Sequence, residues 1–169
     1  SANDVIVAVI DSGVAYRHRE LSGNMWVVPQ SAAQCKTSLG GSGGTANYGC
    51  DFVRNSAEKV PNQAFYDGGA DASTTAARAA NDPLDLVIGH GTHVAGIIAA
   101  QGHNGQDVSG VCWKAQVMAL RAFGHGGLGG TVDLLGEAIR YAVDNGANII
   151  NMSLATPMSF TEITEATDL

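Results

Sequence analysis

The sequence predicts an α/β fold in which a mostly parallel sheet is flanked by helices in three layers. Three observations support this class. An unbroken apolar run lies near the start of the chain, a strand-helix-strand unit lies further on, and a second amphipathic helix lies between the two. Continuous apolar strands are typical of parallel sheets, which are covered on both faces. Alternation of such strands with helices indicates βαβ units.

The first predicted strand covers residues 5–10, where β-branched and small apolar side chains follow one another without a break. Two later stretches, 115–123 and 147–153, have the same character. Short apolar runs bounded by polar residues or glycine favour strands that are buried on both faces. We therefore expect the three strands to belong to one sheet.

Two helices are predicted from apolar residues at helical spacing. The first covers 90–102, with Val94, Ile97 and Ile98 on its packing face. The second lies between the last two strands and begins after Thr131, a suitable N-cap, and ends at Asn145 and Gly146. Its packing face consists of Val132, Leu135, Ile139 and Ala142.

Two stretches rich in small and polar residues, 36–50 and 54–86, are expected to be surface loop insertions, with a weak helical tendency near 76–80. A length of 169 residues suits one domain. Residues 161–169 look like the first turns of a helix whose apolar face has scarcely begun. We therefore expect residues 1–169 to be the N-terminal portion of a single domain, and its fold to be incomplete in this chain.

Composition narrows the classes of partner. A net charge of −7 argues against nucleic acid and anionic membranes, which attract clustered Lys and Arg. No apolar run is long enough to predict a membrane span. Of three cysteines, Cys35 and Cys50 could pair if the protein is exported, and Cys112 would then be free or joined to another chain. Three reduced cysteines fit the sequence equally well.

Asp11 and His90 are the candidate catalytic residues. Asp11 stands where a buried strand ends, which is where α/β proteins place their sites, and it could be a cap, a phosphatase-like nucleophile or an orienting carboxylate. His90 precedes His93 by three positions and is flanked by glycines. Zinc-peptidase helices instead place two histidines four apart with a glutamate after the first, so a metal pair is disfavoured. His93 is expected to be a hydrogen-bonded core residue.

Four segments in order, "VIVAVIDSGV", "GHGTHVAGIIAA", "GVCWKAQVMALRAF" and "ANIINMSL", resemble the subtilisin-like serine proteases, the subtilases. The resemblance implies a subtilisin-like fold and a secreted serine endopeptidase made with a pro-segment. It also implies that Asp11 is the aspartate and His90 the histidine of an Asp-His-Ser triad, in the family's chain order. His93 is then structural.

The chain departs from the family pattern at the nucleophile. The family's serine lies in a Gly-Thr-Ser-Met-Ala block that does not occur here, and its oxyanion asparagine also lies further along the chain. The resemblance therefore implies a partner, a C-terminal segment of the same precursor that carries the serine. It implies peptide or protein substrates as well, and a location outside the cell or within the secretory pathway.

The resemblance also places a substrate-binding wall and a metal site. One wall consists of Gly127, Leu128 and Gly129, and the opposite wall of Ser153, Leu154 and Ala155. Such walls hold an extended peptide by main-chain hydrogen bonds, as an added strand. Many subtilases bind structural calcium, for which the candidate ligands here are Glu20, Asn104 and Asp107.

Two rival functions fit parts of the sequence. Gly124, Gly126 and Gly129 match a dinucleotide-binding glycine pattern, but no acidic residue follows the next strand to hold a ribose. A non-catalytic, subtilase-like binding or regulatory module would explain the absent serine block. The intact pair of Asp11 and His90 favours the protease over both rivals.

Overall fold

The computed structural model describes residues 5–29, 31–32, 35, 48–53, 59–61, 75–77, 83–85, 88–124 and 131–154. Its strands are β1 (Ile6–Asp11), β2 (Gly49–Asp51), β3 (Lys59–Pro61), β4 (Thr75–Ala77), β5 (Gln116–Arg121) and β6 (Ile149–Asn151). Its helices are α1 (His90–Ala99) and α2 (Val132–Asp144), with one 3-10 turn at Ser22–Asn24.

Four strands form a parallel sheet in the order β2-β5-β1-β6. All three strands predicted from apolar runs lie in it, with β1 between β5 and β6. The register aligns the last residues of three strands, since Asp11 is opposite Arg121 and Arg121 is opposite Asp51. The carboxyl edge of the sheet therefore carries a row of three charged residues.

Both faces of the sheet are covered by apolar side chains. Ile10 and Leu120 belong to a buried cluster with Ile139 of α2, whereas Val9 and Ala119 belong to a second cluster with residues of α1. Because successive side chains of a strand point to opposite faces, the two clusters lie on opposite sides of the sheet. The order is helix, sheet, helix, and the predicted α/β class with three layers is confirmed.

Helix α2 follows its prediction closely. The Thr131 side chain accepts a hydrogen bond from the main-chain N–H of Leu134, and Gly146 after the helix has a φ of 77°. A left-handed residue after the last turn is a common way to end a helix. Leu135, Ile139 and Ala142 are buried as expected. Burial also raises the pKa of the Tyr141 phenol from 10.0 to about 12, because the phenolate would lose its hydration.

Helix α1 packs differently from its prediction. Ala95 and Ala99 are its buried apolar side chains, and Val94 and Ile98 pack partly against the same cluster. Ile97, predicted on the packing face, is 55% exposed within the part of the chain that the structure describes. The small alanines let α1 lie close to the sheet, which turns the Ile97 side chain away from it.

The structure also contains elements that the sequence did not suggest. The last two residues of the predicted insertion 36–50 belong to β2, at the edge of the sheet. Within 54–86, β3 and β4 form an antiparallel pair. The first residues of the stretch 76–80, for which a weak helical tendency was predicted, therefore belong to a strand. Tyr48 and residues 83–85 are also described, whereas the rest of both ranges, and residues 161–169, lie outside the described residues. No helix among the described residues is long and apolar enough to cross a membrane.

The cysteine alternatives are resolved in favour of one pair. Cys35 and Cys50 form a disulfide with a Cα–Cα distance of 5.6 Å, and Cys112 is free. Both half-cystines are buried against the cluster on the α2 side of the sheet. The disulfide thus ties the edge strand β2 to the chain that precedes it.

Candidate active site

Asp11 ends β1 at the carboxyl edge of the sheet, where its side chain is only 3% exposed. Its main-chain carbonyl oxygen accepts hydrogen bonds from the N–H groups of Ala122 and Phe123, which follow β5. The N–H of Ser12 donates to Asp11 Oδ1 at 2.6 Å. A buried carboxylate needs such donors because it has lost its water. Both the main chain and the side chain of Asp11 are therefore held in place.

His90 is the first residue of α1 and lies against Asp11. Its Nδ1 is 2.8 Å from Asp11 Oδ1 and 2.9 Å from Oδ2. The two residues are 79 positions apart in sequence, and the distance lies within the range of about 2.6–3.2 Å expected for an orienting hydrogen bond. The imidazole is 53% exposed, and no described residue makes a hydrogen bond to its Nε2. The Nδ1 edge of the ring is thus anchored, while the Nε2 edge can meet a reactant.

The approach of α1 to β1 depends on a glycine. A Cβ at position 91 would overlap the carbonyl oxygen of Gly13 and would lie 2.9 Å from Asp11 Cβ. Ala15 adds a further link between the same segments, since its N–H donates to Thr92 Oγ1 at 2.8 Å. The Gly-Thr pair after His90 therefore brings the start of α1 into contact with the end of β1.

A second aspartate near this contact was not predicted from the sequence. Asp85 is 4% exposed, and its Oδ2 accepts from Ser12 Oγ at 2.6 Å and from the N–H of Gly89 at 2.9 Å. Its Oδ1 accepts from the N–H of Ile88 at 3.0 Å. Aspartate favours turns because its side chain can accept hydrogen bonds from nearby main-chain N–H groups, and glycine favours them as well. That signal in "DLVIGH" was the one that could have revealed Asp85.

A buried ion pair neighbours the site along the row of charged strand ends. Arg121 Nη1 is 3.0 Å from both carboxylate oxygens of Asp51, and both side chains are almost fully buried. A buried guanidinium is tolerated only with a partner of this kind. The side chains of Arg121 and Asp11 lie on the same face of the sheet because the two residues are in register.

The predicted substrate walls are only partly within the described residues. Gly127, Leu128, Gly129 and Ala155 lie outside them. Ser153 is exposed and Leu154 is half-buried, just after β6. Asn151 Nδ2 donates to Ser153 Oγ at 3.0 Å. The two described wall residues thus follow a strand at the same edge of the sheet as Asp11.

The three candidate metal ligands have different surroundings. Glu20 is 2% exposed, and its Oε1 has no hydrogen-bond partner among the described residues. Asn104 Nδ2 donates to Glu20 Oε2 at 2.8 Å, so these two residues do meet. Asp107 instead accepts two hydrogen bonds from Arg19 and is exposed. The described residues contain no group of three His, Cys, Asp or Glu side chains placed to hold a metal.

His93 is not the core residue that the sequence predicted. It is exposed in the described part of the chain and lines a groove of about 830 Å³ beside α1. Around this groove, which we call the α1 groove, stand Ile88, His93, Gly96, Ile97, Val108 and Val111. Ile88, Ile97, Val108 and Val111 are all exposed apolar residues. The His93 side chain points into this exposed apolar groove, so it is not buried in the core as the sequence predicted.

Comparison with known proteins agrees with these features. Residues 2–168 match the Subtilase family. The thermophilic serine proteinase of Bacillus sp. (strain AK1) is 31% identical over 160 residues, which is 95% of this chain and 28% of that protein. The halolysin-like extracellular serine protease Nep of Natrialba magadii is 30% identical over 152 residues, 90% of this chain and 21% of that protein.

Two solved structures share the fold. Fervidolysin from Fervidobacterium pennivorans, a keratinolytic enzyme related to subtilisin, superimposes with a TM-score of 0.60 at 26% identity, over 99% of this chain and 20% of that one. The S41 psychrophilic protease gives a TM-score of 0.58 at 27% identity, over 99% of this chain and 42% of that one. The chain spans less than half of each of these four proteins.

Proposed function

Because the chain belongs to the subtilase family, we propose that it supplies the aspartate and the histidine of a serine endopeptidase. The single observation that carries this proposal is the contact of His90 Nδ1 with the buried Asp11 carboxylate. In the proposed enzyme, a C-terminal segment of the same precursor supplies the nucleophilic serine and the oxyanion asparagine. The substrates are peptide bonds of proteins.

The chemistry assigns one task to each residue. With Nδ1–H donating to Asp11, the lone pair of the neutral imidazole is on Nε2. Nε2 takes the proton of the serine hydroxyl as the hydroxyl attacks the substrate carbonyl, and then gives that proton to the leaving amine. Asp11 keeps the imidazole in this tautomer and stabilises the imidazolium that forms. The half-exposed His90 ring suits a base that must meet a group from another segment.

Ser12, Ser109 and Ser153 do not suit the role of nucleophile. Ser12 lies closest in sequence to Asp11, but its hydroxyl donates to Asp85 and accepts from the N–H of Gly91 at 3.0 Å. Ser109 and Ser153 are exposed, and no described contact joins either one to His90. A nucleophile needs its hydroxyl within hydrogen-bond reach of the base. These contacts, together with the absence of a Gly-Thr-Ser-Met-Ala block from the sequence, support a nucleophile outside residues 1–169.

The experiment that tests the proposal is covalent labelling of the complete protein with a fluorophosphonate, followed by peptide mapping. The label should attach to a single serine outside residues 1–169, and the labelled protein should lose peptidase activity. Residues 1–169 alone should remain unlabelled. Labelling at any serine of residues 1–169 would show that the nucleophile is in this chain, and a complete protein that neither reacts nor cleaves would favour the non-catalytic module.

Export and strand-like substrate binding complete the proposal. The Cys35–Cys50 disulfide supports an oxidising compartment, and one relative is named as extracellular. A peptide bound between the two walls would add a strand through main-chain hydrogen bonds. Exposed Ser153 supports access to one wall. A pro-segment, removed on maturation, is part of the same proposal.

Calcium is proposed as a structural cofactor at Glu20, and it takes no part in the reaction. The residues present fit a hard cation in one respect: a buried carboxylate has an oxygen without a described partner. Asn104 stands beside Glu20, whereas Asp107 is engaged by Arg19. A bound calcium would neutralise Glu20 and hold loop 101–110 against the segment that follows β1.

Removal of calcium should therefore lower the melting temperature of the complete protein by several degrees. A ligand present at about 100 times its dissociation constant stabilises the native state by about 2.7 kcal/mol. Glu20→Gln should abolish the response of the melting temperature to calcium and chelator. Asp107→Asn is the matched control and should preserve it, since Asp107 is bonded to Arg19. A wild-type melting temperature indifferent to both additions would contradict the site.

A further inference from the structure

The Asp85 carboxylate is a buried charge, and three of its hydrogen bonds lie close to the Asp11–His90 pair. Two of its acceptor bonds hold the main chain of Ile88 and Gly89, the two residues immediately before His90. Gly89 has a φ of 78°, in the left-handed region. That conformation fixes the direction in which α1 begins. Asp85 therefore stabilises the turn that determines the position of His90.

A further bond of Asp85 reaches Ser12, the residue that follows Asp11 and β1. Ser12 Oγ–H donates to Asp85 Oδ2, and Ser12 Oγ itself accepts from the N–H of Gly91. The main-chain N–H of Ser12 donates to Asp11 Oδ1. One serine thus connects Asp85 to both members of the pair, since its hydroxyl reaches the residue after His90 and its amide reaches the Asp11 carboxylate.

From these contacts we infer that Asp85 is a positioning residue, which sets the geometry of the Asp11–His90 hydrogen bond through Ser12 and through the turn before His90. The inference deepens the proposed function and rests on it for its effect on catalysis. Catalytic geometry must be held to within a fraction of an ångström, and groups behind the reacting side chains commonly hold it. Asp85 does not touch the reacting atoms.

The role requires two carboxylate oxygens rather than an amide. Among the described residues, Oδ2 accepts hydrogen bonds from two donors and Oδ1 accepts one. In Asp85→Asn one of these oxygens becomes an NH₂ group, which is a donor only. Whichever way the amide turns, a donor faces the N–H of Ile88 or the N–H of Gly89. The turn before His90 must then shift, although the volume of the side chain is unchanged.

The test compares Asp85→Asn with the wild type in the complete protein by two independent measurements. The first is the far-downfield proton resonance of His90 Nδ1–H, which reports the hydrogen bond to Asp11 directly. The second is steady-state peptide hydrolysis. In the variant we expect the resonance to shift or broaden. We also expect kcat to fall by about tenfold to a hundredfold, the loss typical of a small misplacement, while KM changes by less than about twofold.

Leu134→Ala is the control for a purely structural effect. Leu134 is buried in the cluster on the α2 side of the sheet, away from the face that α1 covers. Its truncation should lower the melting temperature at least as much as Asp85→Asn, yet leave the resonance and kcat at their wild-type values. A resonance that responds equally to both variants would overturn the positioning role.

The remaining outcomes are also decisive. An unchanged resonance and kcat in Asp85→Asn would overturn the inference, as would a wild type without the resonance. If Asp85→Asn fails to fold, Ser12→Ala replaces it, and an unchanged resonance there overturns the inference in the same way. If the wild type cleaves no peptide but Asp85→Asn still loses the resonance, the positioning role stands and the proposed protease activity fails.

Discussion

Replacing His90 by alanine in the complete protein should abolish peptide hydrolysis and leave the fold intact. Removal of the base costs the general acid–base contribution, about 10²- to 10⁴-fold, and leaves the serine hydroxyl unactivated. The fold should tolerate the change because the imidazole is half-exposed and alanine favours a helix. The measurements are kcat/KM and thermal unfolding on the same preparation.

His103→Ala is the matched control for this substitution. His103 is exposed and contacts the ring of Trp113, in the loop that follows α1. Its removal should leave kcat/KM within about a factor of two of the wild type, because the described contact of His103 is with Trp113 and not with the Asp11–His90 pair. Residual activity above about one tenth in His90→Ala would show that another group acts as the base.

The second large effect concerns the α1 groove, defined above by six residues from Ile88 to Val111. Ile97 and Val111 are 55% and 87% exposed, and the groove continues between them. Soluble monomers seldom expose contiguous apolar patches larger than a few hundred Å². We therefore expect the proposed C-terminal segment to cover this surface through an interface of more than roughly 2,000 Å², as in obligate complexes.

Residues 1–169 expressed alone should consequently fail to melt cooperatively and should bind a hydrophobic dye. In the complete protein, Ile97→Asp should prevent folding, because it would bury an unpaired carboxylate. Val143→Asp provides the comparison. Val143 is, like Ile97, an exposed β-branched residue on a helix, but it lies on α2, away from the groove. A monodisperse, cooperatively melting monomer of residues 1–169 would contradict this prediction.

Prediction from sequence succeeded where local pattern decides the outcome. The apolar runs of β1 and β5 and the capped, amphipathic α2 carry their own signals, and the structure places each where it was expected. The pairing of Asp11 with His90 came from the resemblance to a family. Neither residue has a neighbour in sequence that could have shown the contact.

The failures have a common physical cause. Ile97 and His93 lie on the exposed face of α1, and helical spacing alone cannot tell which face of a helix packs against the sheet. The short β2 has no apolar alternation of its own and depends on β5 for its hydrogen bonds. Asp85 was missed because its importance lies in contacts with Ser12, across a sequence separation of 73.

The central position of β1 has a consequence for how quickly this protein can fold. The residues that pair with Ile6 lie far along the chain. Its N–H donates to the Asn148 side chain, at a separation of 142 residues, and its pairing partner in β5 is Gln116. Parallel strands with such distant partners require large loops to close before any pairing is gained, so folding is slow and intermediates expose apolar strands. Newly made chains would thus spend longest as intermediates with exposed apolar strands, which are prone to aggregation. A template that holds β1 and β5 together would accelerate folding more than it would stabilise the native protein.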